Sequence, residues 1–257
     1  MICEDFVTTI VSENSERNDK GYFYTGLKNG KLIKWEIKLL SIDNQNNKNK
    51  IKNIKSSPFN IEEINHIYDH KKSITTIEIN NKKEIIATSG EDKCIHIRKL
   101  YDLEILTVID LTYCYGNEII SESQNIFPSL LKISDLNCIY VLLYDFDSEN
   151  TFIRGYTLNG LFFAQTENNE EEKTFYNNII INKNGNLLVG LYNYNKIVKL
   201  NSFDLKIRDE KEILTAKHNG NKWIEFDSSN NCFIILFDNE CLFYFINDGN
   251  ERKNLDE

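Results

Sequence analysis

SITTIEINNKKEIIATSGEDKCIHIRKL, Ser73–Leu100, compresses three β-type segments into 28 residues. Ile74–Ile79 and Cys94–Leu100 alternate apolar and polar residues, and Glu84–Ser89 is a short apolar run ending in small hydroxyl residues. Gly90–Lys93 between the last two has the composition of a tight turn. Adding Glu104–Leu111 gives four strands joined by three tight connections within about forty residues, a unit that closes into a small antiparallel sheet.

Working outward, the same unit recurs. Upstream lie Phe6–Val11, Tyr22–Leu27, a turn at Lys28–Gly30, Lys31–Ile37 and, after an insertion, Ile61–Tyr68. The insertion, Asp43–Pro58, reads DNQNNKNKIKNIKSSP and has too little apolar surface to repay ordering. Downstream, past an irregular Tyr115–Pro128, come Leu130–Ile133, Cys138–Tyr144, Thr151–Thr157 and Leu161–Gln165. After the acidic stretch Glu167–Glu172 follow Asn178–Ile181, Asn186–Tyr192, Lys196–Leu200 and Leu205–Arg208. The fifth unit offers Trp223–Phe226, Cys232–Phe237 and Cys241–Ile246, with no fourth strand in the polar tail. Units of this length point to an all-β propeller over residues 1–257, with blades at about 5–68, 70–111, 129–166, 176–209 and 222–247. Segments such as Cys138–Tyr144 are almost continuously apolar, as strands covered on both faces must be. A two-sheet sandwich would place many of the same strands; the repeated turn chemistry favours the propeller.

Composition agrees. Among 257 residues there are 35 Asn and 35 Ile against three Ala and one Met, which favours short strands and turns over helices. The net charge of -9, with no basic stripe, disfavours nucleic acid and anionic membrane as generic partners. Six cysteines without CxxC spacing fit buried thiols in a reducing compartment better than a zinc site or disulfide framework. No run of 18 apolar residues and no signal-like N-terminus occur, so the expectation is a cytoplasmic protein without direct membrane insertion. Phosphate-binding glycine loops are absent, and no cofactor or metal is expected. Asp145 and Asp147, near Glu149, lack a calcium-loop pattern and read as a hairpin turn. His66, His96 and His218 have no regularly spaced ligand companions, and Trp223 and Phe226 read as packing residues.

Ser73–Leu100 resembles a WD repeat. The match is carried by Ala87-Thr88-Ser89-Gly90, Asp92 at the turn, Ile95 and Ile97, with Arg98 where the family usually has Trp. His70, in Asp69-His70, lies at the family's Gly-His pair. The first unit matches through Tyr24-Thr25-Gly26, Asn29-Gly30, Leu32 and Trp35, with Asn29 in the aspartate position. The resemblance implies that His70, Ser89, Asp92 and Arg98, and in the first blade Asn29 and Trp35, brace blade corners. A Ser-His-Asp set also invites a hydrolase reading, but catalysis needs the serine within reach of the imidazole, beside oxyanion donors and a cleft. The WD arrangement makes the set architectural.

The order of features further resembles the C-terminal propeller of BEACH-domain proteins, the neurobeachin and beige group. A blade ending at Trp35, an insertion, the His70–Arg98 repeat, the Phe152–Leu161 strand pair and Asn186–Leu191 carry this likeness. It implies about seven blades, of which four and part of a fifth are read here. It also implies a non-enzymatic scaffold for protein partners, in vesicle or lysosomal membrane trafficking and peripheral to endomembranes. Asp43–Pro58 and Glu167–Glu172 are candidate partner loops, although charged stretches of this kind more often serve hydration and solubility alone. Alternatives are a propeller-fold hydrolase, or a structural subunit whose open edges pair with missing blades or another chain.

Overall fold

The computed structural model describes residues 5–13, 20–39, 59–112, 125–166, 175–181, 187–192, 196–212, 223–227, 232–236 and 241–245. Among these there is no helix, and nineteen strands form five antiparallel sheets. The first sheet holds β1 (Val7–Glu13), β2 (Lys20–Leu27), β3 (Lys31–Leu39) and β4 (Phe59–Tyr68). The second holds β5 (Ile74–Asn80), β6 (Ile85–Gly90), β7 (Cys94–Lys99) and β8 (Ile105–Asp110). The third holds β9 (Ile126–Ile133), β10 (Cys138–Asp145), β11 (Asn150–Thr157) and β12 (Phe162–Gln165). The fourth holds β13 (Tyr176–Ile181), β14 (Leu187–Tyr192), β15 (Lys196–Asn201) and β16 (Ile207–Glu212). The fifth has three described strands, β17 (Trp223–Asp227), β18 (Cys232–Leu236) and β19 (Cys241–Phe245). Within every sheet the strands lie in chain order. The first strands are neighbours in succession: β5 packs between β1 and β9, and β13 between β9 and β17. The sheets therefore stand side by side as blades.

The central strand β10 feeds two cores. Ile139, Val141 and Leu143 of β10 pack with Ile85, Ala87, Ile95 and Ile97 of the second blade. The intervening Cys138, Tyr140 and Leu142 pack with Ile179, Val198 and Leu205 of the fourth. β6 does likewise: Ile85 and Ala87 join the third blade's core, whereas Ile86 meets Tyr24, Leu32 and Ile74. Strand periodicity alone sends neighbouring residues to opposite faces.

The hairpins share a backbone device. Gly30, Lys93 and Glu149, each just before a third strand, adopt φ of 83°, 63° and 54°. Two turns after third strands repeat an aromatic-Asp-Leu sequence, Tyr101-Asp102-Leu103 and Phe203-Asp204-Leu205. In both, the aspartate accepts the N–H two residues on at 3.0 Å, and the leucine is buried in the left-handed region. Some boundaries differ from expectation: Leu205, expected to open the fourth blade's last strand, is a left-handed turn residue, and β16 starts at Ile207. β9 starts at Ile126, so Pro128 lies inside a strand rather than in the preceding connection. This is tolerated because β9 is the edge of its sheet and its register shifts opposite Leu142 and Leu143.

Replacing Leu143 or Leu142 with alanine is expected to cost about 2–5 kcal/mol each. Urea unfolding checks this. Losses no larger than for exposed Leu161→Ala would show that packing between blades is not what holds the sheets.

Candidate functional site

The second blade's corner gathers a dense set of chemistry-bearing side chains among the described residues, contributed by Asp69 and His70, by the end of β6, by the Gly90–Lys93 turn and by β7. The segment carrying Asp69 and His70 is anchored on the first blade, where both residues' N–H groups donate to the Gly30 carbonyl at 2.9 and 3.0 Å. A Cβ on Gly30 would lie 2.0 Å from the His70 carbonyl oxygen, so glycine is required there for approach as well as for its positive φ.

From this anchor His70 points inward, its side chain fully buried. Its Nδ1–H donates to Asp92 Oδ1 at 2.8 Å, and its Nε2 lies 3.0 Å from Thr88 Oγ1. The other Asp92 oxygen accepts the Lys71 N–H at 2.9 Å. The Thr88 hydroxyl donates to Asp69 Oδ2. Asp69 Oδ1 accepts from His96 Nδ1 at 2.8 Å and from Arg98 Nε at 2.7 Å. The His70 and His96 rings stack with centroids 4.2 Å apart. Arg98 Nη1 continues to the Leu103 carbonyl at 2.8 Å. The corner is thus one continuous network.

Its electrostatics follow from these bonds. Burial pushes both carboxyls up, and the partners overcome it. Asp92 is held down at about 2 by the His70 ring and the Lys71 and Cys94 N–H groups. Asp69 is held below the usual carboxylate range by the His96 bond, the His70 and Arg98 charges and the Thr88 hydroxyl.

The hydroxyl assigned from the WD resemblance needs correction. Ser89 is outside the His70 network: its Oγ lies 2.9 Å from Thr75 Oγ1, and Thr75 also donates to the Ser89 carbonyl. Adjacent residues of β6 face opposite sides, so the hydroxyl on the His70 side is Thr88, which pairs directly opposite His96. Consequently no Ser-His-Asp trio assembles here. Arg98 does meet a carboxylate, that of Asp69. In the first blade Trp35 Nε1 donates to Thr25 Oγ1 at 2.9 Å and stacks on Phe23, while Asn29 Oδ1 accepts the Lys31 N–H at 3.0 Å.

Asp69 is the residue that sequence reasoning missed. The signal was present as two departures from the WD pattern, an acid for glycine before His70 and a cation for tryptophan at Arg98, which are complementary in charge. One ligand atom from each of Asp69, His70 and His96 falls within 4.8 Å of the others. A cation placed there would compete with the Arg98 guanidinium for Asp69 Oδ1 and break the network's own bonds.

Other candidates are local. Asp145 accepts from the Asp147 N–H and the Ser148 hydroxyl, and Asp147 clamps Asn125 through its N–H and its side-chain amide. His66 lies 2.6 Å from Glu63 on an exposed face. Cys94 and Cys138 are free thiols, and burial pushes that of Cys94 up to about 11. His218, the side chains of Trp223 and Phe226, and the loops Asp43–Pro58 and Glu167–Glu172 lie outside the described residues. No described helix is long and apolar enough to cross a membrane, which says nothing of β-barrel spans.

Side-by-side four-stranded antiparallel blades with this kind of corner define a WD40-like β-propeller fold. Solved structures agree. The chain is similar to the Cps50 (Swd1) β-propeller domain of Myceliophteria thermophila, with TM-score 0.60 and 10% identity over 95% of this chain and 67% of that one. It is also similar to a chain in the crystal structure of the mitotic checkpoint complex, with TM-score 0.54 and 9% identity over 88% of this chain and 61% of that one. No protein-family model matches the sequence, and no curated protein does. At these identities the likeness speaks for the fold.

Two outcomes are expected at the corner. Arg98→Trp alone leaves the buried Asp69 charge without its cation and costs about 3–5 kcal/mol. Adding Asp69→Gly recovers a large part of that loss, and a denaturation double-mutant cycle measures it; strictly additive losses would disprove the pairing. Because Asp92 titrates at about 2 when folded and at roughly 3.9 when unfolded, its contribution is complete above the unfolded value and disappears as pH falls through the folded one. Asp92→Asn should therefore flatten the stability-versus-pH slope between about pH 4 and pH 2, read by urea unfolding across that window.

Proposed function

We propose that the chain is a non-enzymatic scaffold for protein partners. The observation that carries this reading is the orientation of β6: Ser89 faces Thr75, on the side opposite His70, and the acids, imidazoles and guanidinium of the corner bond to one another. A general base or nucleophile must instead be presented to a substrate. Propellers vary their turns independently on a rigid frame, which suits them to recognition.

The finer reading places the scaffold in vesicle or lysosomal membrane trafficking, in the cytoplasm and held peripherally at endomembranes by its partners. Its support is the resemblance of the Trp35 blade, the His70–Arg98 repeat and Phe152–Leu161 to the BEACH-group propeller. Asp43–Pro58 and Glu167–Glu172 are the loops proposed to contribute to partner contact.

The test joins two measurements. Immobilised chain, cross-linked to what it captures and mapped by mass spectrometry, should give links concentrated on one set of turn ends, to a folded protein also found with endomembranes. The same preparation should not hydrolyse ester, phosphate or glycoside substrates above buffer. Hydrolysis abolished by His70→Ala, together with the absence of any cross-linked partner, would replace the scaffold with an enzyme.

A further inference from the structure

β8 is the outer edge of the second blade, and its ladder to β7 fixes which of its backbone groups are spare. Ile95 pairs with Ile109 and Ile97 with Thr107, alternating with His96 opposite Val108 and Cys94 opposite Asp110. The next pair in the series, Lys93 and Leu111, is joined by the Leu111 N–H donating to the Lys93 carbonyl at 2.8 Å. Antiparallel ladders bond every second pair, so Thr107 and Ile109 bond inward, and the N–H and C=O groups of Val108 and Asp110 point away from the sheet. Leu106 and Val108 are 48% and 53% exposed, so apolar side chains flank this open edge.

Outer strands are ordinarily protected against pairing. β4 carries Glu62, Glu63 and His66, β12 has only four residues, and β16 reads Ile-Arg-Asp-Glu-Lys-Glu. β8 reads Ile-Leu-Thr-Val-Ile-Asp, six residues of high strand propensity with no proline, no lysine and a single charge at the end. The charge left over beside it has one sign. Glu104 is paired with Lys99, but neither Asp102, in the turn before β8, nor Asp110 has an ion pair among the described residues. A second copy laid antiparallel on this edge would bring its own Asp110 toward Asp102 and Glu104, so self-pairing is repelled.

We propose that β8 is a strand-addition site for a partner protein: an extended segment with alternating apolar residues and a lysine or arginine at each end pairs along β8 as a fifth strand of the second blade. The Val108 and Asp110 backbone groups supply the main-chain bonds, Leu106 and Val108 the apolar contact, and Asp102 and Asp110 the selection for positive charge. This contact lies apart from the turn ends and takes from the scaffold reading only that the partner is a protein.

The test titrates the full chain into three fluorescein-labelled heptapeptides and follows anisotropy. One reads lysine-threonine-valine-threonine-valine-threonine-lysine. A second has glutamate at both ends, and a third keeps the lysines but is N-methylated at two adjacent central residues, one on each edge. The first should bind at least about tenfold more tightly than the other two, its advantage over the glutamate peptide shrinking as salt is raised. Bound, it should slow hydrogen exchange in peptic fragments spanning residues 104–112, through the amides of Val108 and Asp110. Val108→Pro removes an N–H that the sheet does not use, so urea unfolding should be little changed while binding falls at least about tenfold. Equal binding of the methylated peptide, preference for glutamate ends, protection confined to other strands, or no saturable binding at millimolar chain would each overturn the proposal. Those results would leave the scaffold reading to its cross-linking test. Should Val108→Pro unfold the chain, the methylated peptide and the exchange pattern decide by themselves.

Discussion

Every blade between two others must be apolar on both faces, and this double coverage is the constraint from which the rest follows. β10 is buried along most of its length because its odd residues serve one interblade core and its even residues the next. A sheet of this kind cannot be stable alone: removed from its neighbours it would expose two hydrophobic surfaces, each roughly 25 cal/mol per Å² less favourable in water. Stability is shared between adjoining units, as in other repeat architectures. It also means that a central strand such as β10 has no free face to carry function, whereas outer strands such as β4 and β8 keep exposed residues. The surfaces left open are strand ends, turns, the outer strands and seams between blades where packing is incomplete.

Strand ends are where backbone polar groups run out of partners, and the second blade's corner answers that need with side chains. Asp69 is a fully buried carboxylate, expensive by itself, and it is retained because three groups bond to it, His96, Thr88 and Arg98, with the His70 ring beside them. Because each partner is itself held by a second bond or by stacking, the set behaves as a unit rather than as separable pairs. That rigidity argues for an architectural role. A catalytic imidazole must exchange a proton with substrate; His70 is fully enclosed between Asp92, Thr88 and the His96 ring.

The strands were legible because their two determinants are local: alternation or short apolar runs, and turn residues between them. Legibility failed where the determinant was parity or distance. Thr88 and Ser89 are adjacent hydroxyl residues on one strand, and only the register opposite His96 decides which of them faces His70. Pro128 in β9 reads as a breaker until the strand is known to be a sheet edge. The left-handed turn residues Glu84, Lys93, Asn137 and Glu149 are not glycine, so composition does not announce them. Leu103 and Leu205 are more instructive, since the shared aromatic-Asp-Leu sequence does signal a common turn once the two are set side by side. A cavity of about 300 Å³ between the third and fourth blades has no sequence signature: its wall comes from β9, β10, β11 and the start of β13, elements that only the stacking of two blades brings together.

The third strands carry the argument one step further. Trp35, Arg98 and Arg154 each stand fifth in their strand, and each donates a planar side-chain N–H: to Thr25 Oγ1, to Asp69 Oδ1 and to Gln165 Oε1. Arg154 is almost wholly buried, spans to the Leu111 carbonyl of the preceding blade at 2.8 Å, and lies over the Phe152 ring. What these three blades share is therefore a donor at a fixed place, and the acceptor has been solved separately each time. A WD tryptophan, an ion pair and a guanidinium on neutral acceptors are three chemical answers to one geometric requirement. This freedom explains how the fold persists at 10% identity to another propeller. It also explains why a motif search on the tryptophan alone would recover only the first blade.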